Sequence, residues 1–129
     1  MRLKMIGRRV MENVSFTEGL SVDVSEQDRV KRIKCSGHID YYNYLRLSDI
    51  VDGIFESGFF KIVIDLSEVK YISSVGWGIL VGYLRKAAIG GGDIHISCMQ
   101  QNLKDVYKLL ELNSLLLEFK TVEEASRFN

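Results

Sequence analysis

Two adjacent serines are the residues whose position in the sequence is best suited to chemistry. The stretch "YISSVGWGIL", residues 71–80, joins an apolar segment to a helical pattern. A helix beginning near Val75 or Gly76 leaves its first backbone N–H groups unpaired and carries a partial positive charge there. One serine hydroxyl can accept such an N–H group as an N-cap. The other stays available where an added phosphate would be stabilised, so the sequence permits a phosphoserine at Ser73 or Ser74.

Enzyme chemistry has little support in the remaining polar residues. His38 and His95 are far apart, and no nucleophile can be paired with a base. Asp65 ends a predicted strand and fits a turn or cap carboxylate better than a catalytic acid. Cys35 and Cys98 lie in apolar, strand-like stretches without a C-x-x-C partner, which predicts buried reduced thiols. The sequence therefore predicts a protein that is not an enzyme, with no catalytic residue, no cofactor and no metal site.

Aromatic residues gather near the same predicted edge of the fold. Trp77 lies on an apolar helical stripe one turn after the serines, which predicts a side chain partly in the core and partly open to a protein partner. Asp40 is followed by Tyr41, Tyr42 and Tyr44 just after the second predicted strand. Carboxyl ends of parallel strands meet at one edge of a sheet, so we expect these residues to contribute to a protein-contact surface.

Strands and helices alternate along the chain that carries these residues. Period-two or continuous apolar runs predict strands at 20–25, 29–37, 59–66, 93–98 and 115–119, with a turn at 26–28. Apolar stripes at helical spacing predict helices over 47–55, 77–88 and 103–110. Thr121 and Glu124 form a capping box that opens a fourth helix. The order predicts a small α/β sandwich, a mostly parallel, mixed sheet of about five strands with four helices.

Length and charge limit the classes of partner. A chain of 129 residues with 47% hydrophobic residues fits one globular domain, and its formal net charge of zero favours neither nucleic acid nor a membrane surface. No apolar run reaches the roughly 18–20 residues that span a bilayer, and no signal peptide is recognisable, which predicts a cytoplasmic protein. Residues 1–15 are predicted to be an arm preceding a domain over 16–129. The basic residues 1–10 are either a basic arm or an upstream start before Met11.

The segment "VIDLSEVKYISSVGWGIL" resembles the signature of the STAS domain in the branch of bacterial anti-sigma-factor antagonists, D-L-S-x-V-x-F-x-D-S-S-G-x-G. "SGHID", residues 36–40, resembles the G-x-[LI]-D element of the same family, and the resemblance covers roughly residues 18–128. Two positions depart from the pattern: Ser73 replaces an acidic residue, and Val75 replaces the second serine. The positions in register are Asp65, Leu66, Ser67, Val69, Tyr71, Ser74, Gly76 and Gly78.

The resemblance implies a phosphorylation switch. Unmodified members of this branch bind an anti-sigma factor that is a serine kinase and thereby free a sigma factor. The kinase phosphorylates the serine two residues before the glycine, here Ser74, and a serine phosphatase restores binding. Ser73 becomes a second candidate acceptor because the acid is absent. The contact surface implied in this way comprises Asp40, Tyr41, Ser73, Ser74, Val75, Gly76 and Trp77.

Other functions stay open at this point. A constitutive STAS scaffold or subunit, in a signalling or lipid-transport assembly, would use the same surface without a phosphoswitch. A small nucleotide or lipid could bind at the same edge, although the sequence has neither G-x-G-x-x-G nor G-K-[ST]. Weak homodimerisation also remains open.

Overall fold

The computed structural model describes residues 19–128 in full and the backbone of residues 4–6, 9–11 and 13–17. In chain order the strands are β1 (Lys4–Ile6), β2 (Arg9–Met11), β3 (Asn13–Thr17), β4 (Leu20–Gln27), β5 (Val30–Ile39), β6 (Lys61–Ile72), β7 (Asp93–Ser97) and β8 (Leu117–Phe119). The helices are α1 (Tyr44–Glu56), α2 (Ser74–Ile89), α3 (Gln101–Leu109) and α4 (Val122–Ala125), and a 3-10 turn spans Leu112–Ser114.

The central sheet is mixed, and its strand order is β3-β4-β5-β6-β7-β8. The first three strands pair antiparallel, and β5 to β8 pair parallel through helical crossovers. The five predicted strands and four predicted helices are all present, so the predicted α/β class is confirmed. β3 adds an edge strand, and β1 and β2 form a separate antiparallel pair. The proposed domain boundary after residue 15 falls inside β3 and stays a prediction.

The β4–β5 hairpin turns later than predicted. Gln27 pairs with Val30, so the two turn residues are Asp28 and Arg29, not residues 26–28. Both have positive φ angles, 53° and 66°. Two left-handed residues are the conformation whose twist matches that of the flanking strands in a two-residue hairpin. β4 therefore continues through Glu26 and Gln27, the first two residues of the polar cluster that predicted the turn.

The main core lies between the sheet and helices α1, α2 and α3. β6 supplies Ile62 and Ile64 to this core, whereas Val63 points to the opposite face and packs with Ala125 of α4. This arrangement confirms that β6 is buried on both faces, as its nearly continuous apolar run predicts. No helix in the described part of the chain is both long and apolar enough to span a bilayer.

β6 is longer than predicted and runs past the end of its neighbour. It continues to Ile72, whereas the sequence predicts an end at residue 66. β7 pairs with β6 only over Lys61–Asp65. We call residues 66–72 the β6 extension. Among the residues that the structure describes, the extension has a strand partner only in β5, through a ladder with two register shifts. The extension leads directly into the two serines.

Candidate functional site

Ser73 and Ser74 have different environments at the start of α2. The Ser73 Oγ accepts a hydrogen bond from the Gly76 backbone N–H at 3.2 Å, so Ser73 is the N-cap. Its own N–H donates to the Ile39 carbonyl at 2.9 Å, which joins the ends of β5 and β6. Ser74 is the first helical residue and is exposed. The hydroxyl not used for capping therefore belongs to Ser74.

Gly76 is buried where α2 packs closely against the ends of β5 and β6, so it is not available for contact with a partner. A Cβ at this position would lie 2.7 Å from Ile72 Cγ2 and 3.0 Å from the Ile39 carbonyl oxygen. Distances below 3 Å are inside van der Waals contact for carbon, so any side chain here would push α2 away from the strand ends. Gly76 thus sets how closely Ser74 approaches the sheet.

The expectation of a partly open Trp77 is wrong. Its side chain is 2% exposed and packs in the main core, with its ring centroid 6.1 Å from that of Tyr107 in α3. The first turn of α2 is pulled against the sheet at Gly76, which directs Trp77 inward. The free protein consequently offers neither Trp77 nor Gly76 to a partner, and both support the site from beneath.

Asp40 fixes the loop between β5 and α1. Its Oδ1 accepts hydrogen bonds from the backbone N–H groups of Tyr42 at 2.9 Å and Asn43 at 3.2 Å. Asn43, which is 1% exposed, returns a bond by accepting the Asp40 N–H at 2.9 Å and also donates to the His38 carbonyl at 3.0 Å. The sequence pattern alone does not predict this role of Asn43. The available signal was an Asp and an Asn three residues apart before a helix, because both side chains favour backbone hydrogen bonds in turns.

Large apolar side chains are exposed on both sides of the serines. Tyr42 is 85% exposed, Tyr41 68% and Leu45 63%. Tyr71 and Val75 are exposed on the other side, and Tyr71 lies opposite His38 in the β5–β6 register. The bond from Ser73 to Ile39 holds the two groups together at one edge. We call Tyr41, Tyr42, Leu45, Tyr71 and Val75 the apolar rim; exposed apolar groups collected in this way are typical of interaction surfaces.

The β6 extension is held by polar contacts along its length. Asp65 Oδ1 accepts the Ser67 N–H at 2.9 Å, a local backbone contact of the kind expected of a turn or cap carboxylate, but Asp65 lies inside β6 and not at the strand end that the sequence predicted. Lys34 and Glu68 form an ion pair at 2.6 Å, and this hydrogen-bonded contact raises the pKa of Lys34 and lowers the pKa of Glu68. The extension therefore approaches Ser74 as an ordered segment.

The other chemically capable residues lie apart from the serines. His95 is buried on β7, where Nδ1 contacts the Ala125 carbonyl at 2.7 Å and the ring stacks on Phe128. Cys35 is buried and Cys98 is half-buried, and both thiols are free. Burial raises the pKa of Cys35 to about 12 and also raises the pKa of Cys98. Within residues 19–128, no three His, Cys, Asp or Glu side chains are grouped to hold a metal ion.

A comparison with models of protein families matches residues 21–125 to the STAS domain. The chain belongs to the STAS domain family. A relative from Staphylococcus aureus, named anti-sigma-B factor antagonist, is 23% identical over 75% of this chain and 90% of its own length. The family match confirms the expected family.

Solved structures share the fold of this STAS domain. The crystal structure of an anti-sigma factor antagonist from Mycobacterium paratuberculosis has a TM-score of 0.76 and 23% identity, covering 87% of this chain and 95% of the other. SpoIIAA from Bacillus in its phosphorylated form has a TM-score of 0.64 and 16% identity, covering 81% and 95%. At these low identities, the comparison shows a shared fold and nothing more.

Proposed function

We propose that this STAS domain is an anti-sigma-factor antagonist. It binds an anti-sigma factor that has serine-kinase activity, frees a sigma factor in the cytoplasm, and is switched off by phosphorylation of Ser74. The observation that carries the proposal is the exposed hydroxyl of Ser74 at the first position of α2, beside the apolar rim. The names of the Staphylococcus aureus relative and of the Bacillus structure in its phosphorylated form support it.

The acceptor is Ser74 and not Ser73 because only one hydroxyl is available. The Ser73 Oγ is half-buried and accepts the Gly76 N–H, so a phosphate there would displace the N-cap. The Ser74 side chain is exposed and does not cap the helix, so a phosphate there leaves the N-cap bond intact. The helix N-terminus stabilises the added charge of about −2.

The contact surface is the apolar rim together with the polar groups around it. We leave out Gly76 and Trp77, which are buried, and retain Asp40, Tyr41, Ser73, Ser74 and Val75 from the predicted contact surface. Tyr42, Leu45 and Tyr71 join them because they are exposed at the same edge. A phosphate in the centre of this surface would have to be desolvated against the partner, which makes the modification an off switch. A serine phosphatase restores binding, and the protein acts by association, without catalysis or direct contact with nucleic acid.

The test begins with capture of the kinase from a lysate of the native organism, with the unphosphorylated full chain as bait and mass spectrometry as readout. The affinity of the captured kinase is then measured for the wild type, Ser74→Ala and Ser74→Asp. We expect Ser74→Asp to bind at least about tenfold more weakly, because a buried unpaired charge costs more than 1.4 kcal/mol. Ser74→Ala should bind normally and accept no phosphate.

Ser57→Asp is the matched control, because Ser57 is an exposed serine at the end of α1, away from the apolar rim. Its affinity should equal that of the wild type. Equal binding by Ser74→Asp and the wild type would contradict the switch. Intact-mass measurement of the native protein, with and without phosphatase treatment, tests a constitutive scaffold, which would show no phosphorylated form in any growth condition.

A further inference from the structure

The β6 extension lacks a strand on one of its two edges. β7 ends its pairing at Asp65, so the backbone groups of residues 66–72 on that side have no ladder partner there. The opposite edge pairs with β5, but two register shifts interrupt that ladder, between Lys34 and Ser36 and between Gly37 and His38. A strand segment paired on one edge has fewer backbone hydrogen bonds to hold it than a strand paired on both edges, so side-chain contacts on its open edge contribute more to its position.

Two amide side chains at the start of α3 occupy the place of the missing strand. The Gln100 Nε2 donates to the Ser67 carbonyl at 3.2 Å, and the Asn102 Nδ2 donates to the Lys70 carbonyl at 2.8 Å. Lys70 lies four residues before Ser74 in the sequence, and Tyr71 of the apolar rim lies between them. The residue between the two amides, Gln101, instead bonds Asp105 on its own helix at 2.8 Å.

We propose that Gln100 and Asn102 are positioning residues for the Ser74 site. Their amides hold the β6 extension against α3, so that Tyr71 and Ser74 keep one orientation toward a partner. The role in binding rests on the proposed function, whereas the restraint on the extension does not. The donors are essential to this role, because a carbonyl oxygen accepts from an N–H group and is repelled by a carboxylate.

Hydrogen exchange of the backbone amides measures the restraint without any partner. In the full-length chain, Asn102→Ala should speed exchange of the amides in residues 71–73 by about three- to tenfold, the range expected for one lost hydrogen bond. Asn102→Asp has the same size without the donor and should act at least as strongly. Gln101→Ala is the matched control in the same turn of α3 and should leave those amides within about twofold of the wild type.

The location of the change separates positioning from a general loss of stability. Exchange in β7 and in the centre of α2 should match the wild type in all of these variants. Unchanged exchange at residues 71–73 in Asn102→Ala and Asn102→Asp would overturn the inference. An equal effect of Gln101→Ala would overturn it as well, because that side chain does not touch the extension.

Affinity for the captured kinase links the restraint to recognition. Asn102→Ala should weaken binding by about three- to tenfold, since only the fraction of molecules with an ordered extension is competent to bind. If Asn102→Ala leaves affinity unchanged while Ser74→Asp weakens it, the positioning role fails and the proposed function stands. If Ser74→Asp has no effect while exchange responds as expected, the proposed function fails and the restraint on the extension stands.

Discussion

Ser73 and Ser74 have identical side chains, and one hydrogen bond gives them different roles. The Ser73 Oγ is used by the Gly76 N–H, whereas the Ser74 hydroxyl points to solvent at the end of the helix where negative charge is stabilised. An N-cap of this type contributes about 1 kcal/mol to stability. Phosphorylating Ser73 would forfeit that contribution, and phosphorylating Ser74 would not. In the proposed switch, the local backbone therefore favours Ser74 over Ser73 as the acceptor.

Gly76 gives a prediction at the scale of one residue. Gly76→Ala should lower the free energy of unfolding by about 1–3 kcal/mol, because the new methyl group would lie 2.7 Å from Ile72 Cγ2. Gly78, two residues further along α2 and exposed, has nothing within 4 Å of the equivalent methyl position. Gly78→Ala should therefore raise stability by about 0.5–1 kcal/mol. Urea denaturation measures both, and changes of the same sign would contradict this account.

At the scale of elements, α3 ends in a strained residue. Glu111 follows the last turn of α3 with φ +57°, a left-handed conformation that glycine adopts without cost and that is common just after helices. Its side chain is exposed. The strain lies in the backbone, so the sequence gives no sign of it beyond a missing glycine.

Replacing Glu111 tests the helix end directly. Glu111→Gly should stabilise the protein by about 0.5–1 kcal/mol, because the left-handed conformation becomes unstrained. Glu111→Ala keeps the Cβ and should leave stability within about 0.5 kcal/mol of the wild type, which separates backbone strain from the loss of a charge. Thermal unfolding of the three proteins measures the difference. A Glu111→Gly variant no more stable than Glu111→Ala would refute the strain.

The elements also mark where sequence patterns are informative. Helical stripes and apolar runs predicted three helices and five of the sheet strands because burial enforces their periods, and the capping box of Thr121 and Glu124 predicted the fourth helix. The β6 extension escaped prediction because Val69 and Ile72, its buried residues near the end, are three apart and not two. That spacing fits a strand only when its ladder shifts register, as it does against β5. The spacing of apolar residues along β6 does not show where its pairing with β5 shifts register, so the sequence of β6 alone does not predict the extension.

The site was predicted where its chemistry is local and missed where it depends on tertiary contacts. The serine cap follows from residues within one turn of each other, and the sequence shows all of them. Trp77 was placed partly open because its stripe does not reveal that α3 brings Tyr107 against it. Asn102 belongs to a helix far along the chain, and only the fold brings its amide to Lys70.

At the scale of the whole molecule, the main core encloses ionisable side chains. Cys35 lies in the middle of the sheet with no exposed surface, and burial raises its pKa to about 12 from an ordinary 9.0, with a smaller contribution from the charge of Asp65. The folded state therefore favours the protonated thiol over the thiolate. In the unfolded chain the same thiol ionises above pH 9, which favours unfolding in alkaline solution.

The free energy of unfolding should decrease in alkaline solution because of the Cys35 thiol. The folded pKa is raised, so its contribution is fully present below pH 9 and is lost as pH rises toward 12. Between pH 9 and pH 10 the loss from Cys35 amounts to about 1 kcal/mol. Urea midpoints of Cys35→Ala should fall less steeply over this interval than those of the wild type. A decline as steep as that of the wild type would show that Cys35 ionises freely in the folded protein.

The burial of Trp77 gives the molecule an intrinsic optical reporter. The chain contains one tryptophan, and it lies three residues after Ser74 beneath the first turn of α2. Tryptophan emission from the unlabelled protein therefore originates at one known point, directly under the proposed switch. Movement of that turn, on modification or on association, would alter the wavelength of the emission and its quenching by acrylamide. The kinetics of the switch can be followed by fluorescence without introducing a dye.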